Sequence, residues 1–194
     1  MLPRLQHLIT VLPWQDWAAL ALFVFGWIGY AQFASRRARV ERTLLSSTNH
    51  YRRLWMLQVT HRDQRIVDAA ITQNLASSPS FWASTTILVI GGLLAVLGTT
   101  EKASEFVRDL PFAVRTSLLV LDIKLIALLS VFVYAFFRFT WSMRVYSFGA
   151  ILVGAAPNVD VFNEGGADRQ EFGDRAGKLM GMAAESFADG LRAY

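Results

Sequence analysis

The chain has 194 residues, of which 54% are hydrophobic and 18% charged, whereas ordinary soluble domains carry about 25% charged residues. The apolar residues stand in long uncharged runs, so the composition points to helices that cross a membrane rather than to a soluble domain. With no cysteine, disulfides and thiolate metal sites are excluded, and the net charge of +4 is distributed along the flanks of the apolar runs, which favours no nucleic-acid partner.

The first apolar run covers residues 17–35, with no charge between Asp16 and Arg36. It starts late, only Arg4 precedes it among Lys and Arg, and no A-x-A site follows, so it reads as a retained helix rather than a cleaved signal. Tryptophans mark the ends of the runs (Trp14, Trp17, Trp82, Trp141), as aromatic belts at headgroup level do. Residues 41–75 form an amphipathic pattern in which Leu45, Leu54, Val59, Ile66, Ala70 and Leu75 recur among arginines. That helix is expected on the cytoplasmic side, with the option of running straight into the next span.

The second span is expected at 79–98, started by Ser78 as N-cap and Pro79 in the first turn. A third follows at 116–137, with Asp122 and Lys124 near its beginning. A fourth, short one is expected at 141–157, closed by Pro157. From 168 to 193, Phe172, Ala176, Leu179, Ala183, Phe187 and Leu191 recur at steps of three or four, which predicts an amphipathic C-terminal helix.

Charge orients these elements. Residues 36–65 carry eight arginines against Glu41 and Asp63, and the connection after 137 carries Arg138 and Arg144 without an acid, so both are expected in the cytoplasm. The connection after 98, with Glu101, Glu105 and Asp109, and the stretch holding Asp160 and Glu164 are expected outside. The expectation is a single all-α, polytopic helical membrane domain with four crossings and the N-terminus and C-terminal helix both exterior.

Three blocks carry a family resemblance: His50 to Met56, then Arg62 to Leu75, then Ser80 to Gly98 with its Ser-Phe-x-Ala-Ser-Thr-Thr element. Val131 to Arg144 with Phe-Thr-Trp-Ser, Gly154 to Pro157 and Gly190 to Tyr194 extend it. In these blocks the chain resembles the bacterial inner-membrane family catalogued as domain of unknown function five-nine-nine. The resemblance implies a helical fold in the bacterial inner (cytoplasmic) membrane, no assigned activity, and one more hydrophobic span after Tyr194.

Sites of chemistry are sparse. His50 and His61 are eleven residues apart, about 16 Å along a helix, too far to share an ion, so no metal is expected. Gly173 to Lys178 superficially matches the end of a phosphate-binding loop, but Phe172 stands at the leading glycine position and Leu179 replaces the hydroxyl that would hold magnesium. No nucleophile elbow exists and no histidine lies in a span, so neither an enzyme nor a bound cofactor is expected. Asp122 and Lys124, with the hydroxyls of Ser84, Thr85 and Thr86, make a candidate polar path, although hydroxyls in helices also bond their own backbone.

Small residues form two stripes suited to close helix packing: Gly91, Ala95 and Gly98 on the second span, and Gly173, Gly177 and Gly181 on the C-terminal helix. The expected function is therefore a non-catalytic membrane component. Its expected partners are membrane lipids and either further copies of itself or the subunits of a larger membrane complex. The alternative is a small oligomeric channel or transporter using the polar path.

Overall fold

The computed structural model describes residues 14, 17–19, 21–23, 25–27, 29–30, 33, 44–99 and 118–194. Those from Trp14 to Phe33 are helical. Five helices follow: α1 Leu44–Val59, α2 Ile66–Gly98, α3 Leu118–Ala155, the short α4 Val159–Asn163, and α5 Arg169–Ala193. No strand occurs among the described residues, and the fold is all-helical.

The two long helices dominate. At 33 and 38 residues, α2 and α3 are about 50 and 57 Å long, well beyond the roughly 30 Å of a bilayer's hydrocarbon. Both are long and apolar enough to cross a membrane. They run antiparallel in contact, with Trp82 of α2 beside Phe139 of α3 at 6.1 Å between ring centroids. The start of one apolar stretch is thus level with the end of the other.

Beyond that level, the polar half of each long helix joins α1 and α5 in a four-helix head. Its core draws Met56 and Val59 from α1, Val145, Tyr146 and Val153 from α3, and Ala176, Met180 and Ala183 from α5, with Leu75 and Ala76 of α2 packed on it. Buried alanines and glycines on α5 bring it close to both neighbours. Hydroxyls tie α5 to α3: Ser142 donates to the Ala183 carbonyl at 2.7 Å, and Ser186 to the Arg138 carbonyl at 2.9 Å.

Four sequence expectations change. Residues 116–137 and 141–157 are not two crossings, because α3 passes unbroken through both. Arg138 and Arg144 mark no loop there: Arg138 is held by Asp189 of α5, and the intervening stretch contains no Gly or Pro to stop a helix. Four spans therefore reduce to two among the described helices, and the run at 17–35 is described only in part.

Second, α5 does not lie across a membrane from α1. The two helices touch along their length, so no bilayer separates them. Third, Pro79 does not start a helix, since α2 begins at Ile66 and carries Pro79 buried in its interior. The proline removes one backbone donor but leaves the remaining turns intact, and packing of Thr72, Leu75 and Ala76 holds the earlier turns in line. Fourth, the 41–75 pattern is broken at residues 60–65, between α1 and α2. The expected connection at 99–111 lies, apart from Thr99, outside the described residues.

Candidate functional site

The glycines of α5 show how the head closes. A Cβ placed on Gly177 would lie 2.6 Å from the Cα of Arg53, and one on Gly173 3.0 Å from the Cα of Leu57. Gly181 faces the Asn49 amide at 3.3 Å, and that amide donates to Glu185 at 3.1 Å. The stripe Gly173, Gly177 and Gly181 thus lets the α1 backbone approach within the same chain. Glycine costs a helix about 1 kcal/mol per position, and this backbone-to-backbone contact offsets it. The Gly173 to Lys178 segment sits inside α5 and forms no loop.

The distal tip of the head is a polar junction between residues 60–65 and 156–168. Asp68, fully buried in the first turn of α2, accepts from Trp55 Nε1 at 2.7 Å and from Arg62 at 3.3 Å. Its second oxygen, Oδ2, has no hydrogen-bond partner. Arg65 donates to the carbonyls of Ala156 and Pro157, both at 2.5 Å, and so satisfies acceptors left over where α3 ends. Asp63 accepts from the Val159 backbone N–H at 2.9 Å, at the start of α4.

Arg169 completes the tip. It donates to the Thr60 carbonyl and to Asn163 Oδ1 (2.6 Å), and its guanidinium lies 4.9 Å from the centre of the Phe162 ring. Sequence reasoning did not single out Asp68, Arg65 or Arg169. Their partners lie up to 109 positions away, and no local spacing signals such pairings.

A second cluster lies where α5 meets the apolar stretches. Trp82, Phe132, Phe139 and Phe187 surround the C-terminal end of α5, with Tyr194 5.5 Å from Trp82 and 5.0 Å from Phe132. The Tyr194 hydroxyl is bonded to buried Thr86, whose hydroxyl also donates to the Trp82 carbonyl at 2.6 Å. Just outside this cluster, Asp189 takes Arg138 on one oxygen and Arg192 on the other.

The candidate polar-path residues are divided between α2 and α3. Thr85 donates to the Phe81 carbonyl at 3.0 Å, Thr86 belongs to the Tyr194 contact, and Ser84 is exposed. On α3, Asp122 is half-buried and Lys124 exposed. Gly91, Ala95 and Gly98 all face outward on α2, and a Cβ on either glycine would meet nothing within 4 Å. His50 stands beside Tyr51, with 5.7 Å between ring centroids. Among the described residues, no three metal-capable side chains come together.

Residues 18–194 match the family model described as "Protein of unknown function, DUF599". No curated protein and no solved structure matches the chain.

Proposed function

The chain belongs to the DUF599 family, for which no function is assigned, so its role is read from its own surfaces, and we propose a non-catalytic integral component of the bacterial inner membrane that self-associates or docks on a larger membrane complex. One observation carries this reading. In the most apolar 18-residue window of each long helix only 11% of residues are buried, whereas the core helix of a soluble protein would be mostly buried. Phe81 (66% exposed), Leu88 (75%) and Phe137 (64%) are large apolar groups that water would penalise and lipid would not.

Within that surface, Gly91, Ala95 and Gly98 offer the flat strip along which a second helix packs most closely. By the positive-inside rule, the eight arginines of residues 36–65 support a cytoplasmic head with an exterior N-terminus. Native mass measurement of the full chain in mild detergent tests the assembly: oligomers or a co-purifying membrane protein support it, and a lone monomer with no companion refutes it.

Two ionisable residues, half-buried Asp122 and exposed Lys124, in a largely apolar stretch support the second reading, a small channel or transporter. Ion flux through liposomes holding the wild-type chain, abolished by Lys124→Ala, supports that reading; absence of wild-type flux removes it.

A further inference from the structure

Asp189 of α5 sits between two guanidiniums, Arg138 from α3 and Arg192 one turn further along α5. One carboxylate neutralises one of two positive charges, so the triad keeps a net charge of about +1. Its members are neither sealed in nor free: the side chains of Arg138, Asp189 and Arg192 are 30%, 35% and 25% exposed. The Arg138 Nε–H is buried without a hydrogen-bond partner. Asp189 fixes both guanidiniums in place before any ligand arrives, which lowers the entropy cost of binding one.

Location specifies the ligand. Arg138 follows Phe137 directly, at the end of the apolar stretch of α3. The neighbouring rings of Trp82, Phe139 and Tyr194 fix the same level on α2 and α5. Trp141, three residues beyond Arg138 and so on the same helix face, is 49% exposed, as an indole at headgroup depth is. At this level in a bilayer, the anions within reach are lipid phosphates.

We propose that Arg138 and Arg192, held by Asp189, form a binding site for the phosphate of an anionic phospholipid at the boundary between the apolar stretch and the head. The site rests on the membrane reading above. The unshared positive charge favours lipids of net negative charge over zwitterionic ones. The bound lipid sits against the α3–α5 seam.

The full chain, purified in mild detergent and equilibrated with equal amounts of phosphatidylglycerol and phosphatidylcholine, is tested by native mass spectrometry for retained lipid. Wild type retains phosphatidylglycerol preferentially. Arg192→Gln, which leaves the Arg138–Asp189 bridge in place, lowers that retention about fivefold, and Arg192→Lys restores most of it. Equal retention of the two lipids, or no effect of Arg192→Gln, overturns the proposal. Loss in the lysine variant as well as in the glutamine variant marks a packing role and also overturns it. Displacement of the retained lipid by excess inorganic phosphate assigns the site to free anions and refutes the lipid assignment. Recovery of wild type in the soluble fraction of detergent-free lysates defeats the membrane reading itself, a failure distinct from any of these.

Discussion

Replacing Gly177 by alanine separates two opposing effects of known size. Alanine is the better helix former by about 1 kcal/mol, and at an open position that gain is the whole effect. At Gly177 the new methyl lies 2.6 Å from the Cα and 2.7 Å from the Cγ of Arg53, and the Cα belongs to a backbone that cannot swing aside. Overpacking of this kind costs about 1–3 kcal/mol, so the net expectation is a loss of up to about 2 kcal/mol, with α1 pushed off α5. Gly92→Ala is the internal control, because Gly92 lies off the Gly91–Ala95–Gly98 strip and its methyl meets nothing within 4 Å, which leaves only the gain. Thermal unfolding of both variants in the same detergent, followed by helical circular dichroism, reads the difference. The midpoint falls by up to several degrees for Gly177→Ala and holds or rises for Gly92→Ala. If Gly177→Ala gains as much stability as the control variant, the close approach of α1 and α5 is not as described, and the internal role of the stripe fails.

Three further outcomes are expected. Asp68→Ala leaves the Trp55 N–H without its acceptor and costs about 1–3 kcal/mol in the same melting experiment, with Asp68→Asn milder; an unchanged midpoint in Asp68→Ala refutes the role given to that carboxylate. Arg169→Gln loosens the distal tip, so limited proteolysis cuts within residues 156–168 faster than in wild type, while an unaltered cleavage rate shows that Arg169 is no latch. Since the chain has no cysteine, Gln58→Cys and Asp174→Cys, both exposed, introduce single labelling sites on α1 and α5. In sealed vesicles an impermeant maleimide reaches both or neither; labelling of only one contradicts the shared head.

Much of the local structure was legible because it is local. The start of α5 is written in Asp168, whose carboxylate accepts from the backbone N–H groups of Gln170 (2.8 Å) and Glu171 (3.3 Å), followed by an apolar repeat at helical spacing. The apolar halves of α2 and α3 were equally plain, since about 20 mostly apolar residues suit a span even with Asp122 and Lys124 near the start of the latter. Boundaries failed where a tertiary partner reversed a local signal. Arg138 looks like the edge of a loop until Asp189 is found beside it, and Pro79 looks like a helix start until the residues before it are seen in the head core. The break at 60–65 contains neither Gly nor Pro and depends on distant carbonyls and side chains. The glycine stripe on α5 was visible in sequence, but the surface it faces was not, because close approach to another copy and to α1 demand the same small residues.

The order in which the head can be assembled follows from its connectivity. The α5 side chains that cover Met56 and Val59 are made more than a hundred residues after them, and the Asn49–Glu185 contact spans 136 positions. At synthesis rates of about 5–20 residues per second, α1 waits on the order of 10 s with its apolar side uncovered. During that interval it needs a nascent-chain holdase or a provisional resting place on the lipid surface, and any chain cut short before α5 remains in that state.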